Sequence, residues 1–226
     1  MNRINSVAAI LIALSFLSCQ DTKEDLRDPL SEQDVYKTIG EEIPFETGME
    51  WIEFYRRQQH EQGRLDLSSS FSVSAPHLES ILKSIAGLVG IAFHYGIDDL
   101  GKIHIVTIPV DESMSLWSDI SGRIIVDANT DTEISQDIAS TWAQRYKDAY
   151  PDEVWFHFFG KNVFDDMIAL PFLTNVEIEP ATNALDLTPE LLLVVTDDDL
   201  TSAGRTANTE GVVYDASNAC PPCAVK

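Results

Sequence analysis

Apolar positions run through this chain in two rhythms, one near 3.6 residues and one of 2. The clearest stretch is Pro76 to Val110. Leu78, Ile81, Leu82 and Ile85 stand at i, i+3, i+4 and i+7, which predicts a short amphipathic helix. Pro76 suits its first turn, where a missing N–H costs nothing. Gly87 and Gly90 let the helix stop and the chain reverse. Val89 to Tyr95 and Lys102 to Val110 are rich in β-branched and aromatic residues and read as strands. Asp98-Asp99-Leu100-Gly101 between them is turn chemistry. A helix and a hairpin that bury one face each against the other give an α+β layer.

Around this stretch the same order of elements occurs twice. Thr47 and Glu50 make a capping-box pair that predicts the start of a helix carrying Trp51, Ile52 and Tyr55 and closing at Gly63. Leu65, Leu67, Phe71 and Val73 alternate as in a half-exposed strand. Gly122 to Ala128 reads as a third strand after the hairpin. The second round is a helix from Ile134 to Ala149, a strand from Val154 to Phe159 and a helix from Val163 to Leu170. Strands follow at Val176 to Glu179, Leu191 to Thr196 and Gly211 to Ala216. Trp51 and Tyr55 return as Trp142 and Tyr146, and Ile43 as Ile134, each 91 positions on. Leu78, Ile81 and Leu82 return as Phe164, Met167 and Ile168, 86 positions on. The last strand returns about 88 positions on. The prediction is an α+β fold made of two related α-β-α-β-β-β units, residues 43–128 and 134–216, arising by internal duplication. Helices pack on mostly antiparallel sheet, and the copies either share one sheet or stack their helices.

Charge narrows the partners. The 226 residues carry a formal net charge of −22, which argues against nucleic acid, whose binding depends on neutralising phosphates. It also argues against docking on an anionic bilayer. Hydrophobic residues make up 44%, enough for a packed core. The amino end has Arg3, an apolar run from Val7 to Leu17, then Ser18-Cys19. That run is too short to span a bilayer, which needs about 20 residues, and describes a secretory signal over residues 1–18. Residues 19–42 have few apolar side chains and read as an acidic tether.

Candidate chemistry is sparse. Cys220-Pro-Pro-Cys223 has the spacing of a redox dithiol, but only three residues follow it, so no helix opens there. A small terminal disulfide between Cys220 and Cys223, in the tail 217–226, is the plainer reading. His94 and His104 flank the first hairpin turn. A four-residue turn puts them on opposite faces, and a three-residue turn puts them opposite each other. Asp127, Asn129 and Asp131 begin like a calcium loop, yet Thr132 stands where Gly is needed and Ile138 where Glu is needed. They read instead as a polar loop whose Thr130 and Glu133 cap the Ile134 helix. Trp51, Trp142 and Trp155 lie in apolar stretches and are expected in the core, leaving Trp117 for the surface. There is no phosphate-binding, dinucleotide or zinc-protease motif. No catalytic residue, metal ligand or cofactor is expected.

Ser18-Cys19 after the apolar run resembles the lipobox of bacterial lipoprotein signal peptides. That resemblance implies cleavage before Cys19 and its lipidation. The acidic residues behind Cys19 resemble the export tags of surface-displayed lipoproteins in some Gram-negative bacteria. The Gly90 to Lys102 hairpin, the Phe159-Gly160-Lys161 helix start and the Cys-Pro-Pro-Cys tail resemble a group of small bacterial proteins to which no activity is attached. The expectation is a lipid-anchored protein of the cell envelope, on the outer membrane and facing either the surface or the periplasm. It would act as a binding or structural module with an envelope protein partner. The alternatives are an envelope thiol factor using Cys220 and Cys223, or a calcium-dependent adhesion protein.

Overall fold

A computed structural model describes residues 32–61, 71–196, 211–215 and 219–220. The first half holds β1 (Glu41–Ile43), α2 (Phe45–Glu61), β2 (Phe71–Ser74), α3 (Ala75–Ser84), β3 (Leu88–Ile97), β4 (Ile103–Asp111) and β5 (Ile125–Asp127). A short α1 (Glu32–Tyr36) precedes them. The second half holds β6 (Thr132–Ile134), α4 (Gln136–Ala149), β7 (Phe156–Gly160), α5 (Lys161–Ile168), β8 (Asn175–Thr182), β9 (Pro189–Thr196) and β10 (Gly211–Asp215). β11 (Ala219–Cys220) closes the list. The fold is α+β, and each half runs β-α-β-α-β-β-β.

The halves neither share one sheet nor simply stack their helices. They exchange strands. One sheet has the order β1-β10-β9-β8-β2 and the other β11-β7-β3-β4-β5-β6, and every ladder is antiparallel. Each meander, β3-β4-β5 or β8-β9-β10, is therefore flanked by the two lead strands of the opposite half. The helices follow: α2 packs on β8 and β10, and α4 packs on β3.

Ladder registers repeat the sequence spacings. Ile43 faces Val213, and Ile134 faces Ile125. Val73 faces Val176, and Phe159 faces Ile91. Ala92 faces Ile108, and Glu177 faces Val194. Val106 faces Asp127, and Leu192 faces Asp215. These pairs superimpose with shifts of 91 for β1, 86 for β2 and β4, 85 for β3 and 88 for β5. α2 and α4 also begin 91 positions apart.

The chain ahead of each half clasps the other. Gly160 N–H donates to the Ile39 carbonyl at 2.7 Å and Asn162 N–H to that of Lys37 at 3.1 Å. Correspondingly, Ser72 N–H donates to Ala128 at 2.8 Å and Ser74 N–H to the Asp131 carboxylate at 3.0 Å. Gly40 and Asp131, 91 positions apart, both hold left-handed backbone, with φ of +92° and +50°. An added Cβ at Gly160 would meet the Lys37 and Tyr36 backbone at 2.6 Å, which explains the glycine in Phe159-Gly160-Lys161.

The central core joins both sheets and both short helices through Val73, Ile81, Phe93, Phe159, Phe164 and Leu193. A void of about 10 Å³ lies within it, lined by Val73, Leu78, Ile81, Ile91, Phe93 and Thr107, room for about one water. Trp51 and Ile52 of α2 cover Leu192, Val194 and Val213 on the outer side of the first sheet. Ala139 and Trp142 of α4 join Ala92, Val106 and Ile108 on the second.

Several expectations need correction. The tether is shorter than 19–42, because α1 and β1 fold within it. α2 begins at Phe45, so Thr47 and Glu50 sit inside the helix. Ile134 ends β6 instead of opening a helix, and Ser135 is the cap, accepting from Ile138 N–H at 3.3 Å. Thr130 and Glu133 do not cap α4. The third strand is only Ile125–Asp127, and Gly122 is a turn residue with φ of +83°. Trp142 and Trp155 are half-buried, and so is Trp117, which packs against His94. The Leu65 and Leu67 part of the expected strand lies outside the described residues. Replacing Ser135 by Ala is expected to lower stability by about 1 kcal/mol, since the first turn of α4 loses its side-chain acceptor. Urea unfolding measures this directly, and no change would show that the cap contributes nothing.

Candidate functional site: two corresponding polar corners

The β3–β4 hairpin ends in an Asx turn. Asp98 accepts the N–H groups of Leu100 and Lys102 at 2.8 Å each, and Asp98 N–H donates to the Lys102 carbonyl at 3.0 Å. This stretches the loop and pairs Ile97 with Ile103, so His94 faces Val106 and His104 faces Gly96. Neither register expected from sequence holds. The histidines share one face of the sheet, two positions apart along the ladder.

On that face His104 is buried between two carboxylates. Its Nδ1 lies 3.0 Å from Asp127 Oδ1 and its Nε2 3.3 Å from Asp98 Oδ2. Two ionised carboxylates can only accept, so both ring nitrogens donate and the geometry suits an imidazolium. The ring lies 4.3 Å from that of Trp142, a favourable placement for a cation. Burial pushes the Asp98 carboxyl up, but the Lys102 and Leu100 N–H groups and then His104 hold it below its usual range. Asp127 is 2% exposed and also accepts from Asn129 N–H and the Thr130 hydroxyl. Asn129 donates to the Ile103 carbonyl and accepts from Ile105 N–H. The Asp127–Asp131 loop is therefore a fixed hydrogen-bonded corner, not a solvated one. Asp131 caps Ser74 and lies 2.9 Å from His77.

The first sheet has the same corner with different chemistry. The shifts already given carry His104 to Glu190, Asp127 to Asp215, Asp98 to Asn183 and Trp142 to Trp51. Asn183 repeats the Asx turn, accepting Leu185 N–H at 2.9 Å while its own N–H donates to Thr188. Leu100 and Leu185 occupy the same tip position and are 93% and 91% exposed, so the two tips share shape as well as bonding. The Thr188 hydroxyl lies 2.9 Å from Glu190 Oε1 and 2.7 Å from Asp186 Oδ1. Burial, then the neighbouring Asp215, push the Glu190 carboxyl up to about 7.

His94 and His157 are buried histidines of another kind. His94 Nδ1–H donates to the Tyr95 carbonyl at 2.6 Å, leaving Nε2 buried with no hydrogen-bond partner. Burial pulls His94 down to about 4 and His157 to about 3. Three stacked tyrosines, Tyr95, Tyr146 and Tyr150, run outward at 5.2 and 5.0 Å.

Of the residues singled out by sequence, Cys19 and Cys223 lie outside the described residues. Cys220 belongs to β11, where it faces Phe156. Among the described residues no group of three or more His, Cys, Asp or Glu is placed to hold a metal. No described helix is long and apolar enough to cross a membrane. Sequence reasoning missed the Glu190 corner, although the 86-residue spacing that links Ile81 to Met167 also links His104 to Glu190. No protein-family model, curated protein or solved structure matches the chain.

Proposed function

We propose that this chain is a lipid-anchored protein of the cell envelope, acting as a binding or structural module. The observation that carries the reading is Leu17-Ser18-Cys19 at the end of the apolar run from Val7. The first described helix starts at Glu32, so about a dozen residues separate Cys19 from the folded body. Such a spacer, extended at ~3.3 Å per residue, holds a body tens of ångströms from a bilayer. The strongly negative charge supports a body that stays off anionic lipid and meets its partner through protein contacts.

Metabolic labelling with an alkyne palmitate tests the anchor. The full chain is expected to label and to fractionate with membranes, and Cys19→Ala to do neither. Equal labelling of Cys19→Ala would overturn the reading.

A further inference from the structure

We propose that the Glu190 corner is a proton-binding switch: near neutral pH it holds one proton on Glu190, and loss of that proton loosens the pairing of β1 with β10. The argument is a comparison of the two corners. In the second sheet Asp98, Asp127 and a doubly protonated His104 sum to one negative charge. In the first sheet Asn183 replaces Asp98, Asp215 replaces Asp127 and Glu190 replaces His104. With Glu190 ionised this corner carries two negative charges. With Glu190 protonated it carries one, as its counterpart does.

The surroundings offer Glu190 no substitute for the imidazolium among the contacts described. Asp215 faces it from β10 and Asp186 from the hairpin loop, and both oppose its ionisation. Thr188 contributes a hydroxyl shared with Asp186. From α2, Arg56 is engaged 3.0 Å from Glu179, and Gln58 lies against Thr182. Proton release therefore puts like charges side by side, and the displaced proton goes to solvent. The strain falls on a weak point. Asp215 faces Glu41 across the β1–β10 ladder, and β1 is a three-residue edge strand with Glu41 and Glu42 exposed. The raised affinity of Glu190 for a proton agrees with this geometry. Its sign is that protection of β1 is greatest in acid and is lost as pH rises toward 7.

The experiment uses the full chain. Carboxyl-carbon NMR should show Glu190 titrating near pH 7. Hydrogen exchange, corrected for intrinsic rate, should show protection at Glu41–Ile43 falling roughly tenfold from pH 6 to pH 8. Glu190→Gln should abolish that fall. Glu190→His, which installs the residue of the other corner, should keep β1 protected at pH 7. A midpoint in the ordinary carboxylate range, or an equal fall in Glu190→Gln, would overturn the proposal.

Discussion

Taking the protein from pH 7 to pH 4.5 is expected to remove about 5 kcal/mol of its stability. His94 and His157 are 0% and 1% exposed, and burial depresses both, to about 4 and about 3. In the unfolded chain each takes up a proton near pH 6.5. Because the folded values lie lower, the contribution is complete above pH 6.5 and is lost as pH falls below it. Each site loses about 1.4 kcal/mol per pH unit in that window. The groups around them give no relief. His94 is packed against Trp117 and Phe156 with Lys147 opposing its charge, and His157 lies against Tyr95. Glu190 works the other way over the same range, by about 1 kcal/mol because it is partly exposed and screened. Domains of this kind hold roughly 5–15 kcal/mol in all, so the loss approaches unfolding. Urea unfolding at both pH values measures it. The double variant His94→Asn, His157→Gln should lose most of the dependence, and an undiminished drop would assign it elsewhere.

Gly90→Ala is expected to be the most damaging single methyl group in the molecule, at more than about 3 kcal/mol. Gly90 of β3 faces Gly160 of β7 where the two halves meet. A Cβ at Gly90 would stand 2.1 Å from the Phe159 carbonyl oxygen and 2.5 Å from the Phe158 ring. The nearest atom is backbone, so no rotamer change relieves it and the strands must part. Gly101→Ala is the control. Gly101 has φ of +82° and no atom within 4 Å of its Cβ position, so only backbone strain of about 1 kcal/mol applies. Circular dichroism with urea titration compares the two, and similar losses would show that the β3–β7 contact is not tight.

The order of elements was legible because the rhythm of apolar positions is local. Leu78, Ile81 and Leu82 report a helix face, and Phe71 and Val73 a strand face, without reference to anything distant. Strand exchange was not legible. The alternation of Val73 or Phe159 names a buried face, while its ladder partner, Val176 or Ile91, is a nonlocal fact. β1 and β6 escaped notice because Glu41-Glu42-Ile43 and Thr132-Glu133-Ile134 offer one apolar residue each. Ile134 was drawn to the helix it precedes. The histidine register failed because the side chain of Asp98, not the composition of the turn, sets the loop. The Asp127 corner read as solvated because acidic residues beside turns usually are, and only the distant His104 marks it as buried.

Strand exchange also imposes a timetable. From β3 to β7 the second sheet is one continuous run, Leu88 to Gly160, and can pair as it is made. The first sheet brings residues 41–43 against 213–215, nearly the whole described length apart. Closing so long a loop is slow and late. The β1-α2-β2 segment therefore waits, with Trp51 and Ile52 uncovered, until β8, β9 and β10 arrive. Refolding should show a fast phase reporting on Trp142 and a slow one reporting on Trp51. The slow phase gives the molecule a prolonged, loosely closed state in which one sheet is finished and the other still has an open seat on each side.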